Sequence, residues 1–282
     1  MYVRELVLVD VSALMRTYFR PTYGKNPLYV TINDSILNTT HLYGLFNLFR
    51  TYGKEVDYVF TYDTKINFIK QDNPHYKQGR VKVDNEYYVG YELGKGILEK
   101  AGFMVLSKDG YEADHFIIQA HKELKKYYDK ITVVTNDKDL AVVVDDKTQW
   151  VGTRKKQTPI TLDNYELELK VPYNGIHLKK ALVGDPSDNL KGVVGLGEAK
   201  FKKFLAHEHI TSETPIYGFE EDIIKQSTFL DDIGKSQALV DLKIIQPVEI
   251  PDTHIVFNEI DWDLVLEMVE LLEMKSLIKY IQ

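Results

Sequence analysis

Leu6-Val7-Leu8-Val9-Asp10 is an unbroken apolar run closed by an acid. Four aliphatic residues without polar alternation suit a strand buried on both faces, as in a parallel sheet covered by helices on each side. The pattern returns at Val56 to Phe60, at Phe103-Met104-Val105-Leu106 and at Ile131-Thr132-Val133-Val134, with Trp150 and Val151 as a candidate fifth strand. Between these runs, Leu37 to Tyr52 and Ala113 to Tyr127 read as helices. In the second, Ala113, Phe116, Ile117, Ala120 and Leu124 recur at helical spacing on one face. Strands alternating with helices predict an α/β fold with a mostly parallel central sheet flanked by helices.

Acids follow the strands. Asp10 ends the first and Asp63 follows the second. Glu112 and Asp114 open the helix after the third, and Asp137 and Asp139 follow the fourth. In a parallel sheet every strand points the same way, so residues just past the C-terminal ends gather at one edge, where open α/β sheets bind ligands. Taken singly, an Asp after a strand is a helix cap or a turn former. The joint pattern instead predicts six carboxylates in one crevice. Such a group repels itself unless cations are present. All-oxygen ligands favour hard ions such as Mg²⁺ or Mn²⁺. More carboxylates than one ion needs predicts two ions ~4 Å apart, able to activate water and to stabilise a leaving oxygen.

The rhythm breaks twice. Residues 64–100 are polar, contain Pro74 and carry Lys65, Lys70, Lys77, Arg80 and Lys82. That is too long for a plain strand-to-helix connection and marks an insert that is either functional or disordered. From about residue 172 the chain turns Gly-rich; Tyr217 to Gln237 reads as loop and short helices, and Asp261 to Ile281 as an amphipathic helix.

Composition narrows the chemistry. The 282 residues include no cysteine, which excludes disulfides, zinc–thiolate sites and thiol nucleophiles. The start has no long apolar signal and no apolar run is long enough to span a bilayer, so a cytoplasmic protein without a membrane partner is expected. A net charge of −7 weakly opposes a nucleic-acid partner. Binding follows local fields, however, and clustered metal ligands make a protein acidic by count alone. The 19 tyrosines fit core filling as well as base stacking.

Residues 182–205 read LVGDPSDNLKGVVGLGEAKFKKFL. Asp185 and Asp188 add two acids. Gly192, Gly195 and Gly197 then lead into a helix with Lys200, Lys202 and Lys203. Glycines let a backbone approach phosphate, a helix N-terminus offers free N–H groups, and carbonyls of such a turn suit a monovalent cation, K⁺ at Gly192–Gly197. Here the chain resembles the 5′ nuclease superfamily, which includes phage flap endonucleases, the 5′ nuclease domain of bacterial DNA polymerases and eukaryotic flap endonuclease. The family's GDxSDNxxGVxGxG string matches Gly184 to Gly197, and its YEAD string matches Tyr111 to Asp114. Its TxDxD string matches Thr135 to Asp139, and its YKxxR string matches Tyr76 to Arg80. The order is the family's, and the stand-alone phage branch is the most similar.

The resemblance implies a PIN-like or resolvase-like catalytic core over 1–171 with a helical arch at about 64–100. It implies a helix–three-turn–helix DNA-binding region at 172–245, and leaves 246–282 to pack on the core. It also implies a structure-specific 5′ nuclease, both 5′-3′ exonuclease and flap endonuclease, leaving 5′-phosphate and 3′-hydroxyl ends by two-metal-ion catalysis. Asp10, Asp63, Glu112 and Asp114 would surround one ion, and Asp137, Asp139 and Asp185, with Asp188 nearby, the other. Lys77 and Arg80 would act on the scissile phosphate and Tyr76 would stack on a base. Gly192, Gly195, Gly197, Lys200, Lys202 and Lys203 would grip duplex DNA. The expected partner is branched or 5′-flapped DNA, with an RNA–DNA hybrid as a second substrate, bound by a monomer. A PIN-type ribonuclease and a catalytically weak branched-DNA binder stay open as alternatives. His115 departs from the pattern, because family members often carry Asp there. It is expected either beside the ions but not on them, or simply packed at the helix start.

Overall fold

The computed structural model describes residues 3–19, 27–32, 34–78, 85–154 and 157–282. Five parallel strands form the central sheet: β1 (Glu5–Asp10), β4 (Asp57–Thr61), β5 (Met104–Leu106), β6 (Lys130–Val134) and β7 (Thr148–Val151), in the order β5-β4-β1-β6-β7. Leu8 of β1 pairs with Val59 on one side and Val133 on the other. The first strand is thus central, as its unbroken apolar run requires. Leu6 and Leu8 join one apolar core, while Val7 and Val9 join the opposite one. Each such buried side chain contributes ~1.5–3 kcal/mol by leaving water.

The face of Val7 and Val9 is covered by α1 (Val11–Phe19), α2 (Thr40–Tyr52), α4 (Asn85–Lys100) and α11 (Trp262–Leu271). The face of Leu6 and Leu8 is covered by α5 (Ala113–Leu124), by the 3₁₀ turn 138–143 and by the helices after residue 170. Those helices are α7 (Ile176–Val183), α8 (Glu198–His207), α9 (Glu220–Gln226) and α10 (Asp232–Ile245); the short α6 (Tyr165–Leu169) precedes them. Both faces are therefore closed, and the sheet's C-terminal edge is the place left for a cleft.

Three elements differ from the sequence reading. Leu37 and Asn38 are not helical: Tyr29–Ile32 (β2) and Ser35–Asn38 (β3) form an antiparallel hairpin in which Leu37 pairs with Val30. The Asn38 side chain accepts the backbone N–H of Thr40 at 3.0 Å, and α2 begins only there. The segment 217–237 contains the start of α10, which is longer than short helices suggested. The C-terminal helix stops at Leu271, Glu273 takes φ 55, and a 3₁₀ turn at Ile278–Tyr280 follows. The insert contains α3 (Phe68–Asp72), and α4 follows it, packing on the sheet face with Tyr87, Tyr91, Ile97 and Leu98. Arg80 and Lys82, between them, lie outside the described residues. No described helix is long and apolar enough to cross a membrane.

Candidate active site

The strand order delivers the acids to one edge. Asp10 closes β1, Asp63 lies just past β4, Glu112 is the N-cap residue of α5, and Asp137 follows β6. Asp10, Asp63, Glu112, Asp114, Asp137 and Asp188 line one cleft of about 260 Å³, together with Lys77. Asp139 and Asp185 stand behind it rather than on its wall, and both meet the Lys180 ammonium of α7 at 2.5 Å.

Local bonds explain why each acid is held where it is. Asp10 Oδ1 accepts the N–H of Ala13 at 2.9 Å and Oδ2 accepts the hydroxyl of Thr135 at 2.8 Å. It therefore caps α1 and ties β1 to the end of β6. Asp63 Oδ1 accepts the N–H of Ala113 at 2.9 Å, joining β4 to the start of α5. Asp137 accepts the N–H of Asp139 at 3.0 Å, and its carbonyl accepts the Trp150 indole N–H at 2.8 Å. The helix-cap reading and the cleft reading of these acids are thus both true, since capping is what fixes their carboxylates at the edge.

The electrostatics are those of crowded anions. Burial first, then Asp63 and Asp137, raise Asp10 to about 7. Burial and Asp137 raise Asp139 to about 8 despite Lys180. Burial and Glu112 push Asp114 well above the usual carboxylate range. Asp185 differs: burial opposes ionisation, but Lys180 and Ser187 outweigh it and hold its pKa low. Burial likewise opposes the charge on Lys180, and Asp139, Asp137 and Asp188 overcome it. The Asp139 Oδ1 atom is buried with no hydrogen-bond partner. Among the described residues no three carboxylate or imidazole groups already converge as an ion cage. Two ammonium groups, Lys77 and Lys180, stand among the acids instead. The donor set is nonetheless all oxygen, buried, self-repelling and incompletely bonded, which suits hard divalent cations.

The insert docks on this edge. Lys77 Nζ lies 2.6 Å from Glu112 Oε1, and the Tyr76 hydroxyl donates to Glu112 Oε2 at 3.0 Å. Tyr76 is only 5% exposed, so its ring is packed here rather than displayed for stacking. The Lys77 N–H donates to the Asp188 carbonyl at 3.4 Å, and the Asn189 amide donates to the His75 carbonyl at 2.9 Å. The insert thus rests on the turn that carries Asp185 and Asp188.

His115 completes a capping box. Its Nδ1 accepts the N–H of Glu112, while the Glu112 side chain accepts the N–H of His115 in return. It is 5% exposed, and burial lowers its pKa, keeping the ring neutral. The ring is thus packed at the helix start, and its Nε2 also lies 3.9 Å from Asp114 Oδ1, so both expectations for the position stay open.

The glycine-rich turn is held from behind. Gly192 has φ 64, and a Cβ there would lie 2.4 Å from the Gly184 nitrogen, so no larger residue fits. Its N–H donates to Asp241 Oδ2 of α10 at 2.7 Å, and the Val194 N–H donates to Gln237 Oε1 at 3.2 Å. Gly195 also has positive φ, whereas Gly197 precedes α8 in extended backbone. Lys200, Lys202 and Lys203 are all exposed.

Several residues at the site were missed from sequence. Lys180 was one; it sits one helical turn before Gly184, which points it at the acidic turn. Arg16 and Arg154 were others, and both line the cleft. Arg154 follows β7, so the rule that collected the acids applies equally to it. Asn136 was a third kind: its amide nitrogen donates to Thr17 at 2.7 Å and to Thr153 at 2.5 Å, locking three elements together.

The family profile of the 5′-3′ exonuclease N-terminal resolvase-like domain matches residues 5–170. A 5′-3′ exonuclease of Mycoplasma pneumoniae is 28% identical over 287 residues, covering 97% of each chain. That of Mycoplasma genitalium is 31% identical over 211 residues, covering 70% of each. DNA polymerase I of Mycobacterium bovis is 32% identical over 144 residues, 49% of this chain and 16% of the polymerase, so the chain matches only a small part of that protein. In three dimensions the fold is that of the T5 5′-exonuclease with bound zinc, at a TM-score of 0.62 and 17% identity, covering 99% of this chain and 100% of the other. Flap endonuclease-1 from Methanococcus jannaschii superposes at a TM-score of 0.59 with 13% identity, covering 98% and 90%. With the profile spanning more than half of its length, and the acids of that span gathered at one sheet edge, the chain belongs to the 5′-3′ exonuclease family.

Proposed function

We propose that the protein is a structure-specific 5′ nuclease that hydrolyses DNA phosphodiesters in branched or 5′-flapped duplexes, acting as 5′-3′ exonuclease and flap endonuclease. The observation that carries this is the cleft in which six carboxylates and Lys77 face one another, beside a glycine turn that opens a lysine-bearing helix. The relatives named as 5′-3′ exonucleases, one of them aligned along nearly its whole length, support it.

Two Mg²⁺ ions, or Mn²⁺ in their place, fit the oxygen-only donors. Asp10, Asp63, Glu112 and Asp114 would hold one, and Asp137, Asp139 and Asp185 the other, with Asp188 nearby. Bound divalent ions supply nucleophile activation and neutralisation of phosphate charge. The chain's own residues do the rest. Lys77 carries a positive charge to the cleft mouth and stabilises negative charge developing on the phosphate. Arg80 is proposed as its helper. The N-terminus of α8 and the exposed Lys200, Lys202 and Lys203 grip the duplex backbone, with K⁺ proposed at the Gly192–Gly197 turn. In this division of labour 1–171 cuts, 172–245 holds duplex, and 246–282 braces the core.

A 5′-flap duplex labelled at either end tests the reading. Mg²⁺-dependent products ending at the single-strand–duplex junction, with 5′-phosphate and 3′-hydroxyl termini, are expected. Cleavage of single-stranded RNA in preference to the flap, or tight flap binding without cleavage at any Mg²⁺ concentration, would overturn it.

A further inference from the structure

Behind the carboxylates lies a second polar pair, enclosed by the helices that follow residue 170. His177 of α7 and Glu220 of α9 are each 1% exposed. His177 Nδ1 and Glu220 Oε1 face each other at 4.0 Å, and neither atom has a hydrogen-bond partner. Their other sides are engaged. The Gly218 N–H donates to Glu220 Oε2 at 2.7 Å, and the His177 ring is hydrogen-bonded to the backbone of Asp139. A void of about 20 Å³, room for about one water, has His177 on its wall together with Asp137, Asp139 and Asp188.

Packing does not explain such a pair. A buried polar atom left unpaired is costly, and apolar residues of similar volume in place of a buried polar pair are often neutral or stabilising. A histidine with a different partner at each nitrogen does what a leucine cannot. The bond at one ring nitrogen fixes the proton on the other and so fixes the ring's direction. Burial raises the Glu220 pKa, which favours the acid form that donates to Nδ1. Closing the 4.0 Å gap to a hydrogen bond takes a movement of about 1 Å. Nε2 then keeps its proton for the Asp139 backbone. That backbone matters because the Asp139 carboxylate is loosely held: Oδ1 is unpartnered and Oδ2 meets Lys180. Its aim depends on the turn that carries it.

We propose that His177, braced by Glu220, is a positioning residue for Asp139, holding the 3₁₀ turn 138–143 so that this carboxylate faces the rear divalent ion. The inference rests on the two-ion reading of the site. It also couples that ion to the region proposed to hold duplex DNA, because α7 and α9 both belong to that region.

Mn²⁺ uptake by the DNA-free protein, read as loss of the free-ion EPR signal, tests this without cleavage, beside Tm in metal-free buffer. The parent should take up two ions. His177→Leu combined with Glu220→Leu should weaken one ion about tenfold, as loss of an outer-shell partner does, and leave the other ion and Tm nearly unchanged. Glu220→Leu alone should weaken the same ion. Glu220→Gln keeps a donor for Nδ1 and an acceptor for Gly218, and should bind Mn²⁺ like the parent. Parent-like affinity in the double variant, or losses that track Tm, would overturn the proposal while leaving two ions in the parent. If the double variant does not fold, equal Mn²⁺ affinities for Glu220→Leu and Glu220→Gln would overturn it. A parent that takes up fewer than two ions would remove the two-ion reading as well.

Discussion

Lys180 Nζ lies 2.5 Å from Asp139 Oδ2, so the protein carries a cation of its own inside the carboxylate group. Both side chains are nearly buried, at 14% and 13% exposure. Removing one partner of a buried pair costs about 3–5 kcal/mol because the other charge is stranded. Lys180→Met is therefore expected to lose about 3 kcal/mol in metal-free buffer. Mg²⁺ should recover more stability in the variant than in the parent, since added cations replace the lost charge. Urea denaturation with and without Mg²⁺ measures both. An identical loss in the two conditions would show that Lys180 does not share the acids with divalent ions.

Lys77 and the lysines of α8 should separate chemistry from grip. Lys77→Ala is expected to slow single-turnover cleavage at least a hundredfold with little change in Kd, because its charge is needed most in the transition state. Lys200→Ala with Lys203→Ala should weaken duplex binding and lower its salt dependence by about one unit of slope per lost phosphate contact. Matching profiles for the two variants would refute the division.

The Gly192 turn is the most constrained point of the proposed duplex grip. Gly192→Ala places a Cβ against backbone at positive φ and is expected to cost about 3 kcal/mol. Asp241→Ala strands the buried Gly192 N–H, at about 1–3 kcal/mol. Asp241→Asn keeps an acceptor and should recover most of that, both in Tm and in duplex Kd. If Asp241→Asn is as damaging as Asp241→Ala, the bond to Gly192 is not what matters.

Acid sensitivity is expected from His121. Burial lowers it to about 4, against Asp145 at 3.7 Å, which in turn pairs with Lys125 at 2.5 Å. The fold favours the neutral ring, which bonds to Thr148 at 2.9 Å. A depressed folded pKa means stability that is present above the unfolded value of 6.5 and is lost as pH falls toward about 4. The full loss amounts to about 3 kcal/mol. His121→Leu should remove its share of the slope across that window, leaving the shares of His41 and His177, which burial likewise lowers to about 4. An unchanged curve would assign the acid sensitivity elsewhere.

His115 should behave as a cap. His115→Gln retains a side-chain acceptor for Glu112 and is expected to be near neutral, whereas His115→Ala should cost about 1 kcal/mol. The Mg²⁺ concentration for half-maximal cleavage should be the same in His115→Gln and the parent. A clear shift would place His115 within the metals' influence.

Much of this architecture was legible in one dimension because its signals are local. Leu6 to Val9 reads as a strand buried on both faces, and a parallel sheet gathers the residues past its strand ends at one edge. The positions of Asp10, Asp63, Glu112 and Asp137 follow from that rule alone, whereas the left-handed backbone at Gly192, not shared by Gly197 in the same string, does not. What required tertiary structure were relations between distant segments that no periodicity encodes. The hairpin at Leu37 overrode a helix-like pattern because Val30 pairs with it across a turn. Tyr76 was legible as a ring that could stack, yet the Glu112 carboxylate, brought in from α5, draws it into the core. Lys180 drew no reading from the sequence; only the packing of α7 beside Asp139 and Asp185 makes it a buried counter-ion. Periodicity reports which face of an element is apolar. Which charge meets which is settled by how the elements cross, and a site built of like charges depends on that most of all.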